Sequence, residues 1–500
     1  MKRKLPVWLC MLSVTLLSLS SFAQYDELKE RLRGKQTFRE ITETYDQYIQ
    51  SVPGGNARER LEKHFNRWAY YQSLHLGPSG EFVNISKKTL EAVQSQSDAP
   101  LTSANGSWAF IGPDTTSNNN PNASGMGLGR VDRIAFHPSN ANTIFVGTPA
   151  GGLWKTTNGG VTWSALSNFI PSLGISGIVI DWNNTSNIYV LTGDGDSFFG
   201  GFVSQSGYIR MSVGVLVSHD GGVTWEQTGV LSENNFCGYQ LIQHPTNPAI
   251  LIAATSDGIF RTTNSGQTWV RERAGTYYDV EFKPGTPATV YASGPGAFFY
   301  SNDTGDTWFN NSTFDVALCA GGRVEIGVTP NSPNRVFLLA GPGNIGANTF
   351  CGFYQSTNSG QPVVIGTSFT RLSTTPNVFN DPTGASTLDQ SAYDIGMAVR
   401  PNNFQTIVLA GLITHLSTNG GSVFTALTSY WESGGNYIHP DVHCVAYNPL
   451  NNNLYAATDG GFYRSTNDGT TWTNLSSGIN VSQFFHLDDF IKLVNHFFQC

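Results

Sequence analysis

The stretch STNDGTTW, residues 465–472, places a hydroxyl residue, an asparagine, a glycine and a tryptophan within eight positions. Similar stretches begin at six earlier positions, which are Thr156, Ser218, Thr262, Ser301, Ser356 and Ser417. Successive copies are 39 to 62 residues apart. Seven copies in register predict a repeat architecture rather than a chain of unrelated domains.

Each copy of this repeated turn follows the same series of apolar segments. In the last unit these segments are CVAYNP (444–449), LYAATDG (454–460) and FYRS (462–465), and a fourth segment follows Trp472. The many glycines (54) and the low share of charged residues (13%) suit short strands joined by tight turns. We therefore expect an all-β fold, a β-propeller of about seven four-stranded blades.

The repeated turn needs a side chain that accepts hydrogen bonds from turn amides, and a glycine that tolerates positive φ. Only Asp220 and Asp303 supply a carboxylate, and the other five copies have asparagine. Acid–base or metal chemistry by the turns is therefore disfavoured, and we predict a structural role. The predicted structural positions are Asn158, Trp163, Asp220, Trp225, Asn264, Trp269, Asp303, Trp308, Asn358, Asn419, Asn467 and Trp472.

Net charge and hydropathy exclude some classes of partner and indicate the cellular compartment. The net charge of -8, without a run of Lys or Arg, argues against nucleic acid and anionic membrane surfaces. Residues 1–23 have the basic start, apolar centre and small-residue end of a signal peptide cleaved near Ala23, and no later run is long enough to span a bilayer. We expect a secreted or cell-surface protein. Cys319 with Cys351 is the preferred disulfide, because both lie in one repeat.

The remaining chain divides into four parts. Residues 24–95 are charged and have helical periodicity, which predicts a small helical segment outside the ring, followed by a linker at 96–105. Residues 106–485 form the propeller, and 486–500 are an atypical tail. SWAFIGP (107–113) and NVSQFFHLDD (480–489) look like strands without a blade, so we expect an incomplete eighth blade in an open ring. The alternative is that seven blades close on themselves.

Three stretches fall on the face opposite the repeated turns. In TGDGD (192–196), Asp194 and Asp196 resemble a pair of cation ligands, although a tight loop needs the same residues. In IHPDVH (438–443), His439, Asp441 and His443 alternate, so they suit a divalent metal, a proton-transfer cluster or a polar plug. Asp459 lies in TDGG (458–461) and joins them as a catalytic candidate.

Aromatic residues occupy the same long loops and suggest a binding surface. Such side chains stack on sugar rings or anchor a protein segment, and local loop packing is the alternative. No cofactor is evident from the sequence, which leaves room for a divalent cation. The aromatic candidates are Phe198, Phe199, Tyr208, Trp431 and Tyr437.

The repeated turn resembles the Asp-box, or BNR repeat, of sialidases, two-propeller xyloglucan-active glycosidases and sortilin-type receptors. The stretch GLGRVDRIAFHPSNANTIFVGTPAGGLWKTTNGGVTW (127–163) is similar to exported Bacteroidetes proteins with sortilin N-terminal-like or BNR repeats. That resemblance implies type IX secretion and further repeats, so the chain is expected to be truncated.

Two functions follow from these resemblances. The chain lacks the R-I-P motif of sialidases, and Pro149 in TPAGGLW stands where xyloglucan-active enzymes have a catalytic aspartate. The leading expectation is therefore a non-enzymatic propeller that binds a glycan or a protein segment on its loop-rich face. The alternative is a glycoside hydrolase that uses carboxylate and histidine residues of that face.

Overall fold

The architecture is taken from a computed structural model. It describes residues 27–28, 31–32, 34–35, 37–96, 127–166, 173–196, 210–312, 314, 321–342, 350–363, 366–380, 390–431 and 435–481. The predicted signal peptide, the stretch SWAFIGP, nearly all of the linker at 96–105 and the tail at 486–500 lie outside these residues. So do Cys319, Phe198, Phe199 and Tyr208.

Within the described residues, three helices with defined bounds precede the strands: α1 (Phe38–Ser51), α2 (Asn56–Ser73) and α3 (Ile85–Gln96). Helix α1 begins at a capping box, in which Thr37 and Glu40 exchange side-chain and backbone hydrogen bonds. It ends just before Pro53, which has no N–H to continue the helix. None of the helices in the described part of the chain is long and apolar enough to cross a membrane.

Seven antiparallel sheets of four strands follow, and they form a ring. Blade one contains β1 (Arg133–Phe136), β2 (Ile144–Gly147), β3 (Leu153–Thr156) and β4 (Ser164–Ala165). Blade two contains β5 (Ile175–Ile180), β6 (Ile188–Thr192), β7 (Val215–Ser218) and β8 (Glu226–Gln227). Blade three contains β9 (Gly238–Gln243), β10 (Leu251–Thr255), β11 (Gly258–Thr262) and β12 (Val270–Ala274).

The other four blades repeat this order. Blade four contains β13 (Asp279–Phe282), β14 (Val290–Gly294), β15 (Ala297–Ser301) and β16 (Phe309–Asn310). Blade five contains β17 (Val324–Gly327), β18 (Val336–Ala340), β19 (Gly352–Ser356) and β20 (Thr370–Ser373). Blade six contains β21 (Gly396–Val399), β22 (Ile407–Ala410), β23 (Thr414–Ser417) and β24 (Thr425–Ala426). Blade seven contains β25 (Val442–Tyr447), β26 (Leu454–Thr458), β27 (Gly461–Ser465) and β28 (Thr473–Asn474). The β-propeller of seven four-stranded blades is confirmed.

Burial follows the position of a strand within its blade. The second strands, such as β18 and β26, are buried at every residue because each blade packs against a neighbour on both faces. This explains why their sequences are continuous apolar runs instead of alternating patterns. The outermost strands, such as β16 and β28, are short and exposed. The apolar core therefore lies between the blades.

The ring is closed, and the prediction of an open ring with an incomplete eighth blade is wrong. The first strands of neighbouring blades contact one another all the way round, including β25 with β1. A single hydrophobic cluster joins Ile144 and Val146 of blade one to Tyr455 and Phe462 of blade seven. Seven repeat units therefore already complete the circle, and no gap is left for the two spare segments.

The repeated turns account for the recurring sequence. In all seven, the hydroxyl oxygen of the first residue accepts a hydrogen bond from the glycine N–H, at 2.7 to 3.0 Å. That glycine has φ between 64° and 98°, which explains why no other residue replaces it. In six turns the Asn or Asp oxygen accepts a backbone N–H four residues later. In the fifth turn Pro362 has no N–H, and Asn358 instead donates to the carbonyl of Gln361.

Three of the turn tryptophans donate a hydrogen bond to the preceding blade. The indole N–H of Trp225 donates to Leu166 O at 2.8 Å, and that of Trp269 donates to Thr228 Oγ1 at 3.1 Å. Trp163 of blade one donates to Leu475 O of blade seven at 2.8 Å, so the same contact crosses the seam of the ring.

The helical segment is docked against the ring. Met211, from the connection between β6 and β7, lies in the same apolar cluster as Trp68 and Phe65 of α2. Leu90 of α3 lies in the cluster between blades one and two. No sequence pattern indicated this contact.

Candidate functional site

A charged cluster lies on the face opposite the repeated turns. Because the strands alternate in direction, the starts of the first strands and the ends of the second strands meet on this face. The segment GRVDR (129–133) enters β1 there, and TGDGD leaves β6 there. We use the name "central cluster" for the residues that these segments and the start of β17 bring together. They are Arg130, Asp132, Arg133, Asp194, Asp196 and Arg323.

Asp196 is the centre of this cluster. Arg133 contacts its carboxylate at 2.8 Å, and Arg323 contacts it at 2.5 Å. Burial alone would raise the pKa of Asp196, but the arginines outweigh it and hold the pKa far below the usual range. The ionised carboxylate therefore fixes two arginines in the middle of the ring.

Arg130 connects the central cluster to blade seven. Its guanidinium donates two hydrogen bonds of 3.3 Å to Asp194 and lies 3.4 Å from Asp132. On its other side, Nε is 3.9 Å from Asp459 Oδ1, and the guanidinium carbon lies 5.0 Å from the centre of the Tyr393 ring. This geometry combines an ion pair with a cation–π contact.

Asp459 is held by two donors. The Tyr393 hydroxyl donates to both carboxylate oxygens at 2.9 Å, and His443 Nε2 lies 2.9 Å from Oδ1. Burial works against ionisation of Asp459, but His443, Arg130 and Tyr393 outweigh it, so its pKa lies below the usual value. Its side chain keeps 26% of its surface exposed, so it can still meet a ligand.

His443 is completely buried, and both of its ring nitrogens face acceptors. Nε2 meets the Asp459 carboxylate, and Nδ1 lies 3.1 Å from the carbonyl of Tyr393. Only the imidazolium can donate to both. Burial and the charge of Arg130 nevertheless lower the pKa of His443. Loss of this proton would leave one of the two acceptors without its donor.

Asp441 lies beside Asp459, and its pKa is shifted in the opposite direction. Burial, together with the charge of Asp459, raises the pKa of Asp441 to about 6. Gln390 Nε2 donates to its carboxylate at 2.7 Å, and the Asp441 carbonyl accepts the Asp459 N–H at 3.1 Å. Asp441 has φ of 60°, a left-handed conformation that is uncommon outside glycine. The two carboxyl groups are therefore neighbours with separated pKa values.

The remaining predicted ligand residues do not form a metal centre. His439 Nδ1 lies 2.9 Å from the carbonyl of Pro440, and the ring packs on Gly460, where a Cβ would fall 2.2 Å from its Cγ. Asp194 accepts the Asp196 N–H at 3.0 Å, as a tight turn requires, and pairs with arginine. Among the described residues, no three His, Cys, Asp or Glu side chains are grouped to hold a metal ion.

Two of the predicted aromatic residues lie away from the central cluster. Trp431 is 43% exposed and packs edge-on against Tyr430. Ser429 and Tyr437 form an isolated bridge, and the side chain of Asn436 donates to Gly469 O in the seventh repeated turn. This loop is therefore held near the turns, and Trp431 and Tyr437 stay predictions for a binding surface there.

A cavity of about 240 Å³ opens beside Arg130. Its walls are Thr148–Gly151, from the loop between β2 and β3, together with Asn480 and Val481. This volume lies below the roughly 300–1,000 Å³ of sites for drug-sized ligands, so it suits a single small group such as one sugar ring. Pro149 lines the cavity at the position where the resemblance would place an acid.

Sequence reasoning identified Asp194, Asp196, Asp441, His443 and Asp459, and missed their partners. Arg130, Arg323 and Tyr393 belong to no repeated motif and come from three different blades. The one available signal was GRVDR (129–133), a charged stretch directly before an apolar strand. Charge at a strand entry on the loop-rich face is a usable sign of a central site.

Comparisons with known proteins agree with this fold. No protein-family model matches the chain. A xyloglucanase of Hypocrea jecorina (strain QM6a) is 42% identical over 64 residues, which is 12% of this chain and 7% of that protein.

Two solved structures resemble most of the chain. The GH74 enzyme of Niastella koreensis has 19% identity and a TM-score of 0.50, and the match covers 71% of this chain and 55% of that one. The GH74 xyloglucanase of Xanthomonas campestris has 18% identity and a TM-score of 0.50, with the same coverage. The chain thus spans about half the length of these enzymes, and its fold is that of their propellers. At 19% and 18% identity these likenesses show the fold alone.

Proposed function

We propose that the protein is a glycoside hydrolase that cleaves a polysaccharide, with Asp441 and Asp459 as its carboxyl pair. The observation that carries the proposal is their placement on the loop-rich face, where the Asp441 carbonyl accepts the Asp459 N–H at 3.1 Å and Asp459 keeps 26% of its side chain exposed. Their surroundings also shift the two pKa values apart, to about 6 for Asp441 and below the usual value for Asp459. Glycosidases need one carboxylic acid that keeps its proton and one carboxylate that stays ionised, close to the same bond.

In this proposal Asp441 donates a proton to the leaving oxygen. Gln390 holds its carboxyl group at 2.7 Å, which orients the acid. Asp459 stays ionised and either activates water or stabilises the positive charge that develops on the sugar. Tyr393 and His443 keep this carboxylate in place at 2.9 Å. Preorganised groups of this kind lower the barrier because they need no rearrangement during the reaction.

The cavity beside Arg130 is the proposed position of the sugar next to the cleaved bond. Arg130 lines the cavity and lies 3.9 Å from Asp459, so the cavity and the carboxyl pair adjoin. The solved relative from Xanthomonas campestris is described as a xyloglucanase, which makes xyloglucan the first polysaccharide to test.

The experiment measures new reducing ends released from xyloglucan and other polysaccharides by the full chain. We expect Asp441→Asn to lower turnover by about 10²–10⁴-fold, the usual contribution of general acid–base catalysis. Asp257→Asn is the control, because Asp257 also lies on the loop-rich face, between β10 and β11 of blade three, and pairs with Arg271 at 3.1 Å, away from the pair. Equal activity in both variants would refute the assignment.

Two observations favour binding without turnover as a second candidate. Pro149 replaces the acid that the resemblance predicts, and both oxygens of Asp459 already accept hydrogen bonds from Tyr393. A glycan or a protein segment would then lie across the same face. Retention of the chain on a polysaccharide gel, with no reducing ends released from any polysaccharide, would favour this candidate.

Export also belongs to this proposal. Residues 1–23 have the pattern of a signal peptide, and a polysaccharide substrate lies outside the cell. Type IX secretion rests only on the resemblance to Bacteroidetes proteins. Cell fractionation with N-terminal sequencing tests export, and a mature chain that begins near Gln24 in the medium or at the surface is the expected result.

A further inference from the structure

The connection between β6 and β7 links the helical segment to the central cluster. We use the name "strap" for its residues 210–214. On one side, Met211 is 4% exposed and packs with Trp68 and Phe65 of the helical core. Asn84, just before α3, donates to Ser212 O at 2.9 Å. The strap is therefore fixed by helices that lie outside the ring.

On its other side, the strap holds the end of β6. The carbonyl of Arg210 accepts the Asp194 N–H at 3.0 Å. The Ser212 hydroxyl lies 3.0 Å from Thr192 Oγ1, and Thr192 Oγ1 accepts the Val213 N–H at 2.8 Å. The backbone that carries Asp194 thus depends on the strap for its position.

Asp194 in turn anchors Arg130. Its two hydrogen bonds of 3.3 Å, together with the contact of 3.4 Å with Asp132, hold the guanidinium on the side away from blade seven. The same guanidinium lies 3.9 Å from Asp459 and packs over Tyr393. A displacement of Asp194 would therefore change how Arg130 meets Asp459 and its neighbour His443.

We propose that the helical segment positions the candidate site, and that Met211 is the positioning residue through which it acts, by way of the strap, Asp194 and Arg130. Met211 touches none of the reacting groups itself. The inference deepens the proposed function and rests on it for its catalytic meaning. The contacts that run from Met211 through the strap and Asp194 to Arg130 are present whether or not the protein turns over a substrate.

The test is a titration of His443 in the full chain labelled with ¹⁵N-histidine, followed by NMR. His443→Gln identifies the signal of His443 among those of the ten histidines. Asp194→Asn removes the link to Arg130 directly, so the shift that it causes in the His443 midpoint defines the direction of the effect. Met211→Ala is expected to shift the midpoint in that same direction, and Met211→Leu, which keeps the buried volume, to restore it.

Met397→Ala is the matched control. Met397 is also buried, but it packs between blades five and six, so its truncation loosens the core without touching the strap. We expect its His443 midpoint to equal that of the unaltered chain. If Met211→Ala does not fold, Asn84→Ala releases Ser212 O from the helical side and takes its place.

The outcomes are distinct. A midpoint that moves in Asp194→Asn but not in Met211→Ala or Asn84→Ala would overturn the proposal, because the strap would then transmit nothing. If Asp194→Asn leaves the His443 midpoint unchanged, the proposal fails at its last step, from Asp194 through Arg130 to His443. An equal shift in Met397→Ala would show a general loss of packing and would overturn it as well. None of these results depends on hydrolysis, so the failure of the proposed function stays distinguishable.

Discussion

Both faces of the propeller carry aspartate side chains, but the surroundings of Asp220 and Asp303 and those of Asp441 shift the pKa values in opposite directions. On the turn face, Asp220 and Asp303 accept hydrogen bonds from their own loops, and these bonds lower their pKa values. On the loop-rich face, burial raises the pKa of Asp441 to about 6. Position in the repeat therefore decides whether an aspartate shapes a turn or can exchange a proton.

The two faces also differ in the substitutions that they tolerate. Five of the seven turns have asparagine where two have aspartate, and six of the seven keep the same backbone hydrogen bond. The contacts of the central cluster are not repeated from blade to blade in this way, so no second copy can replace a residue that is lost. We infer that substitutions on the turn face change stability, whereas substitutions on the loop-rich face change chemistry.

The largest expected effect is on the turn face. Trp308 is 7% exposed and packs between blades three and four, so Trp308→Ala should cost about 3–5 kcal/mol of unfolding free energy. Tyr70→Ala is the control, since Tyr70 is 70% exposed on α2 and its truncation should cost below about 1 kcal/mol. Denaturant unfolding measures both. Similar losses in the two variants would mean that the turn tryptophan is not packed as described.

A pH profile sharpens the comparison on the other face. If Asp441 donates a proton, its protonated fraction falls as pH rises through about 6, and kcat/KM should then fall roughly tenfold per pH unit. The acidic limb should lie well below this, because the pKa of Asp459 is lowered. The profile is measured with a soluble oligosaccharide. A flat profile between pH 6 and 8 would exclude Asp441 as the acid.

Glu325 provides a smaller effect, on stability. Burial and the charge of Asp279 raise the pKa of Glu325 well above its usual value, so the folded chain binds this proton more tightly than the unfolded chain. That stabilisation is complete below the unfolded pKa and is lost as pH rises through the folded pKa. Glu325→Gln should therefore raise the melting temperature at pH 8, by roughly 2–4 °C for each kcal/mol gained, and change it little at pH 4.

Glu233→Gln is the control for this measurement, because Glu233 is exposed. Thermal unfolding of both variants at the two pH values checks the expectation. A gain in Glu325→Gln that is as large at pH 4 as at pH 8 would show that packing, rather than charge, is responsible.

The smallest expected effect is that of Asp220→Asn. Asn158 in the first turn shows that an amide can accept the Thr162 N–H at 2.9 Å and donate to its hydroxyl at 2.8 Å. Asparagine at position 220 should make the same two bonds to Thr224. We expect a melting temperature near that of the unaltered chain at pH 7, and a large drop would break the comparison between the two faces.

The sequence was sufficient for the ring and insufficient for the site. Four apolar segments per repeat predicted the blades, because each second strand is buried on both faces and each turn needs the same glycine. The open ring was a wrong inference, because the seven repeat units already close the circle between blades seven and one. A contact such as that of Trp163 with Leu475, 312 residues apart, leaves no local trace in the sequence.

The site was only partly predictable for a related reason. Asp441, His443 and Asp459 stand out because they interrupt apolar patterns near strand ends. Arg130 and Tyr393 complete the site from blades one and six, and no periodicity connects them. Whether Asp459 is an acid or a permanent carboxylate depends on these partners, so its role cannot be read from the segment TDGG.

Each blade is made of four strands that are consecutive in the chain, and this has a consequence for how the protein can be rearranged. Among the described residues no strand is shared across the seam, which is held by packing and by hydrogen bonds such as Leu128 N to Gly460 O. The two ends of the described ring also meet, because a Cβ placed on Gly129 would fall 2.4 Å from Val481 O. A short linker could therefore join them, and new termini could open between any two blades. The described ring is therefore suited to circular permutation, and the order of its blades along the gene is one of seven that would give the same ring.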